Sequence, residues 1–283
     1  MGILVAKRMP AIDALGLADH TYVECKGGGK AWGCFGRKKG GTDLRSGMGS
    51  TRRADAIAGA DERAGIKCYA VNGVCHQAAN RILLPARILV EGARGYRLSE
   101  SVYGPYGRPR SGRCASPFNQ HEHVTGDLPA CMLAGMAQIE QEFRSDAGYL
   151  EGALRIYARH GAMHSEGLDR GALVELHIEL FMHLVQRQLG SDAKAEGASK
   201  LPSIREDEER QRIGVEEDFF EGKLPTEDFV RQLRSVEADF QKRIASVLGP
   251  DDYAALLGTL PGDWLALTEI DIALGEYGKG PLR

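Results

Sequence analysis

The sequence predicts an α+β architecture followed by an all-helical portion, and three features carry that reading. Two short β-prone runs flank a glycine-rich turn between residues 17 and 35, the pattern of a β-hairpin. Apolar residues recur at helical spacing from Gly171 to Leu189 and again after Thr226. The charge divides as well: residues 1–113 hold 19 Lys and Arg against 9 Asp and Glu, and the remainder holds 17 against 30. With 43% hydrophobic and 27% charged residues, 283 residues suit one or two globular domains.

The elements follow in order. In Asp19-His20-Thr21-Tyr22-Val23-Glu24-Cys25, strand alternation puts His20, Tyr22 and Glu24 on one face and Thr21, Val23 and Cys25 on the other. Lys30 to Phe35 supplies the second strand of the hairpin. Ser50 to Ala64 reads as a helix with Ser50 or Thr51 as its cap. A second helix opens at Cys75, with Ala78, Ala79, Ile82 and Leu83 as its apolar face. Residues 87–98 read as a strand and the start of another element, and residues 103–112 are turn-rich. From about Leu128 the character is helical. Leu173, Leu176, Leu180 and Leu184 form one stripe. Residues 190–202 read as a small-residue linker, and residues 205–212 as a charge run facing solvent. Thr226 caps a helix with Glu227 and Asp228 in its first turn. Its stripe is Leu233, Val236, Phe240, Ile244 and Val247, and Gly249-Pro250 ends it. Short helices at 251–257 and 264–274 complete the set. The expected division is 1–127, catalytic, and 128–283, helical and packed on it, with charge complementarity orienting the docking.

Cys75 carries the chemistry. A helix N-terminus bears roughly half a positive charge, and a thiol placed there can have its pKa lowered from about 8.5 to 3.5–7.5. The thiolate is the nucleophile. His20 is the only histidine before His76, so it is the candidate base from this part of the chain. A histidine strand, a hairpin and a later helix opening on cysteine resemble the circularly permuted papain-like cysteine enzymes, the permuted NlpC-type peptidases and lecithin retinol acyltransferase-like proteins. The resemblance covers roughly residues 15–90. It implies a papain-like (permuted) catalytic portion in which Cys75 attacks an amide, peptide, ester or thioester carbonyl and His20 takes its proton. The backbone N–H of Cys75, with His76 and a side chain such as Tyr69 or Asn72, would hold the oxyanion. Trp32, His76 and Arg53 are the candidate substrate contacts, a packing role competing for Trp32 and Trp264. The chain departs from the family in the third catalytic position, because Lys30 to Phe35 contains no His, Asn or Gln. Glu24, Asp43, Asn72 and Asn80 stand as alternative orienters.

The expected activity is therefore that of a cysteine peptidase, amidase or acyltransferase with no cofactor and no metal, acting on a peptide or small acyl substrate. The alternative is a non-catalytic binding protein whose basic front half contacts nucleic acid or an acidic protein. No nucleic-acid motif is present and aromatics do not interleave with the basic residues, which disfavours nucleic acid. None of the six cysteines forms a Cys-x-x-Cys pair. Cys114, His121, His123 and Cys131 offer zinc-ligand types without a familiar spacing, and Glu179 and His183 share a helix face without the carboxylate set of a di-metal bundle. No apolar run approaches the ~20 residues of a membrane span and no signal peptide is read, so a cytoplasmic location is expected. Nothing in the sequence specifies an oligomeric state.

Overall fold

The computed structural model describes residues 1–10, 19–33, 38–64, 75–106, 147–161, 168–190 and 197–257. They belong to two compact units, one supplying the described residues up to 106 and the other those from 147 to 257. Tyr69, Asn72, the second strand beyond Gly33, the zinc-type residues between 114 and 131, the expected helical start near Leu128 and the 264–274 segment lie outside the described residues.

The first unit is α+β. Strands β1 (Gly2–Pro10), β2 (Asp19–Cys25), β3 (Ala31–Gly33) and β4 (Thr42–Gly49) form an antiparallel sheet in the order β3-β2-β1-β4. The hairpin is present, with Trp32 opposite Val23, and β1 pairs the whole length of β2 from Leu4↔Cys25 to Pro10↔Asp19. Helices α1 (Thr51–Ala64), α2 (Cys75–Leu83) and α3 (Tyr96–Tyr103) accompany it, with a 3-10 turn at Leu84–Ala86. Ser50 caps α1 by accepting from Arg53 N–H at 3.2 Å.

One sheet face receives the helices, and its identity follows from contacts. The buried Trp32 indole donates to Asp55 of α1 at 2.7 Å. A Cβ on Gly2 would sit 2.8 Å from the Thr51 methyl, and Cβ atoms on Gly47 and Gly49 would sit 2.8 Å from Ala86 O and 2.9 Å from Ala86 N. Gly2, Leu4, Ala6, Arg8, Asp19, Thr21, Val23 and Cys25 therefore point toward α1 and α2. His20, Tyr22 and Glu24 point the other way. There the His20 ring stacks on Tyr22 at 6.1 Å, and Lys7 bridges Glu24 at 3.4 Å and Asp43 at 2.5 Å.

Residues 87–98 do not form the expected strand. Pro85 sits in the 3-10 turn, Arg87 is left-handed at φ 54°, and Gly92 and Gly95 have φ of 88° and 78°. This backbone cannot run extended. Asn80 supplies the missing partner, accepting from Val90 N–H at 2.8 Å.

The second unit contains α4 (Ala147–Arg159), α5 (Arg170–Leu189), α6 (Leu201–Phe220), α7 (Thr226–Val247) and α8 (Pro250–Leu257), with a 3-10 turn at Ala198–Lys200. Asp169 caps α5, accepting from Ala172 N–H at 2.8 Å. Pro225, not Thr226, occupies the cap position of α7. The expected stripes are buried at Leu176, Leu180, Leu184, Leu233, Phe240 and Ile244.

The charge run at 205–212 does not face solvent. Arg205 and Glu209 are fully buried, with Glu208 and Arg212 nearly so. Their spacing of three and four residues puts them on one face of α6, where they pair with each other. The Arg205 guanidinium also lies over both the Phe181 and Phe240 rings, 5.4 and 5.5 Å from their centroids. His177 of α5 completes the cluster, its Nδ1 2.9 Å from Glu209. No helix among the described residues is long and apolar enough to cross a membrane.

Candidate active site around Cys75

α2 opens on Cys75, and all nine of its residues are buried. A helix so enclosed must pair its polar side chains internally. Gln77 donates to Ser99 Oγ and Gly104 O, both at 3.1 Å. Asn80 donates to Pro105 O at 2.7 Å and Tyr96 Oη at 3.2 Å. Arg81 donates to Tyr106 O. Asn80 is thus committed to holding residues 90–105 on α2 and does not orient a catalytic histidine.

The first turn of α2 lies against Asp19. The Cys75 thiol donates to the Asp19 carbonyl at 3.7 Å, and His76 Nε2 meets the same oxygen at 3.0 Å. A carbonyl only accepts, so His76 carries its proton on Nε2 and presents Nδ1 to Ser99 Oγ at 3.0 Å. The Asp19 carboxylate is equally occupied: Arg94 binds Oδ1 through Nε at 3.0 Å and Nη2 at 2.8 Å, Arg94 N–H reaches Oδ2 at 2.9 Å, and Arg8 approaches Oδ2 at 3.3 Å. Asp19 N–H in turn donates to Arg94 O at 3.0 Å.

Burial pushes the His76 pKa down to about 4, against the opposing pull of the Asp19 carbonyl and charge. Neutral His76 therefore contributes stability that is complete above the unfolded value near 6.5 and is lost as pH falls toward 4. The shift corresponds to something on the order of 3 kcal/mol. In urea titrations at pH 7.5, 5.5 and 4.5, wild type is expected to lose stability more steeply across this window than His76→Asn. Parallel losses in the two proteins would assign the acid sensitivity elsewhere.

The structure brings Cys75 to the carbonyl of the Asp19–His20 peptide. It does not bring the His20 side chain onto the α2 face, since His20 leaves β2 on the opposite side with Tyr22. Among the described residues β3 pairs with Tyr22 to Glu24 of β2, and Cys75 lies beside Asp19 at the start of that strand. The other expected residues fall elsewhere. Trp32 is buried and bonded to Asp55, and His76 is buried and bonded at both nitrogens, so neither presents a surface to a substrate. Arg53 lies on α1, half-buried. Glu24 and Asp43 are ion-paired with Lys7.

Sequence reasoning missed Asp19 and Arg94. Aspartate beside a histidine was in view, but the arginine 75 residues away carried no signal. In the second unit Glu179 pairs with Arg159 at 2.6 Å rather than with His183, whose ring packs against Gly152. Among the described residues no group of three His, Cys, Asp or Glu side chains could hold a metal ion. Several basic residues of the front half are ion-paired: Lys7, Arg8 and Arg94 as above, Lys30 with Asp55, and Arg45 and Arg97 with Glu91. No family model, curated protein or solved structure matches this chain.

Proposed function

We propose that this protein is a cysteine-dependent hydrolase or acyltransferase of permuted papain-like type, with Cys75 as nucleophile and His20 as base. One observation carries the reading. Cys75 stands in the first turn of a helix docked on the carbonyl of the Asp19–His20 peptide, so the sulfur lies beside the backbone that carries the candidate base. The N-terminal peptide dipoles of α2 favour thiolate there. The His20 ring stands on the other face of β2, stacked on Tyr22, so its action on the sulfur requires a local rearrangement of β2. The thiolate then attacks a peptide or other acyl carbonyl, and collapse of the adduct breaks the acyl bond and expels the amine, alcohol or thiol, which takes the proton held by His20. The backbone N–H groups of the first turn of α2 would stabilise the oxyanion, and water or an acceptor amine would release the acyl group from sulfur.

A second reading is favoured by a specific observation. Cys75 is fully buried and its thiol donates to a carbonyl, an arrangement that suits a protonated, structural cysteine. Alkylation with iodoacetamide at pH 7, followed by peptide mapping, separates the two. Selective labelling of Cys75, at least ~10-fold faster than Cys25, is expected from the lowered thiol pKa. Labelling of Cys75 slower than the half-exposed Cys25 would establish the structural reading.

A further inference from the structure

The charge around Asp19 has more structure than packing requires. Asp19 exposes only 2% of its side chain, yet its carboxylate meets two guanidinium groups. Arg94 grips it with two side-chain bonds and one backbone bond, and a reciprocal backbone bond runs from Asp19 N–H to Arg94 O. The clamp fixes the carbonyl on which Cys75 and His76 converge.

We infer that Asp19 and Arg94 form a positioning pair for the Cys75 thiol, setting both its place and its local charge. The inference rests on the reading of Cys75 as nucleophile. With Arg8 included, two positive groups face one negative group, so the cluster carries a net positive charge beside the sulfur. Of the other charges on elements packed against α2, Lys30 pairs with Asp55, and Arg97 and Arg45 pair with Glu100 and Glu91; α1 also carries Arg52 and Arg53, and α2 itself Arg81. His76 is neutral, and His20 is the remaining titratable group beside the Asp19 peptide. A net positive cluster favours thiolate, as the helix end does. Removing either partner then has opposite consequences. Without the Arg94 charge, the Asp19 carboxylate opposes thiolate formation. Without the Asp19 charge, the arginines favour it more strongly. A purely structural clamp would give the same sign for both losses, because each loosens the same joint.

The test is the pH profile of Cys75 alkylation by iodoacetamide in the full-length protein, read by peptide mapping and compared across Arg94→Met, Arg94→Lys and Asp19→Asn. Wild type is expected to show a midpoint below about 8.5. Arg94→Met should raise it by about one unit, Arg94→Lys should leave it near wild type, and Asp19→Asn should lower it. A depressed wild-type midpoint that moves the same way in Arg94→Met and Asp19→Asn, or in neither, overturns the positioning pair and leaves Cys75 as nucleophile. A wild-type midpoint at or above about 8.5 overturns both. Should Asp19→Asn fail to fold, Arg94→Met against Arg94→Lys decides. A difference restored by the lysine charge supports the pair, and equal midpoints refute it.

Discussion

Cys75→Ala is expected to abolish hydrolysis of p-nitrophenyl acetate, an activated ester that reports acylation without knowledge of the natural substrate. His20→Ala should lower the rate at least ~100-fold, the scale of general-base loss. The two effects have separate origins. Alanine at 75 removes the atom that bonds to the acyl group, and no other thiol among the described residues stands at a helix start. Cys25 lies at the end of β2 beside the Gly28 turn, so Cys25→Ala should retain full activity. Alanine at 20 leaves the nucleophile but removes its proton acceptor, and the residual rate should climb with pH as hydroxide takes the proton instead. Intact-mass detection of an acetyl group on wild type and not on Cys75→Ala would locate the acyl-enzyme. Near wild-type turnover in either variant would refute the dyad. The His20 arm is the more exacting, because its side chain leaves β2 on the face opposite α2 and needs a local rearrangement of the strand to act.

That last point marks where the sequence stops being informative. The alternation of β2 is readable from seven residues, and it sorts His20 from Thr21 correctly. Which sorted face meets α2 is decided by contacts far apart in the chain: Trp32 with Asp55, Gly2 with Thr51, Gly47 and Gly49 with the backbone of Ala86. The same glycines hide β4. Gly47 and Gly49 are required by close approach, so the strand carries no apolar alternation to mark it. β1 was invisible for a different reason. Leu4, Val5 and Ala6 are all buried, because both faces of the sheet are covered there, and a strand buried on both sides shows no period of two. Local signals succeeded where the cause was local: the Ser50 cap, the hairpin turn, the helix over Cys75–Leu83, and the Gly249-Pro250 stop. The Asp19–Arg94 clamp could not be found this way, since an ion pair has no sequence periodicity.

The buried charges of α6 were misread for a related reason, and they yield the largest expected change in stability. Glu209→Gln should destabilise the protein by about 3–5 kcal/mol, the cost of breaking a buried ion pair from one side. Burial alone would raise the Glu209 pKa, but Arg205, Arg212 and His177 all face its carboxylate and hold it well below the usual range. Its replacement leaves Arg205 and Arg212 buried with too little negative charge and takes the acceptor from His177. Glu208 has the opposite character. Burial, reinforced by the neighbouring Glu209 charge, raises its pKa to about 7 despite Arg205 at 2.7 Å. A glutamine there imitates a form Glu208 already populates, so Glu208→Gln should cost under ~1 kcal/mol at pH 6. The two also separate by pH. Stability from Glu209 is complete above its unfolded pKa near 4.5 and is lost as pH falls through its lower folded value. The Glu208 contribution is complete below 4.5 and is lost as pH rises toward 7. Thermal melts followed by circular dichroism at pH 6 should place Glu209→Gln roughly 10 °C below wild type, with Glu208→Gln within a few degrees of it. Equal losses in the two variants would show that the cluster shares its negative charge evenly, and that Glu209 is not the anion around which α5 and α6 are joined.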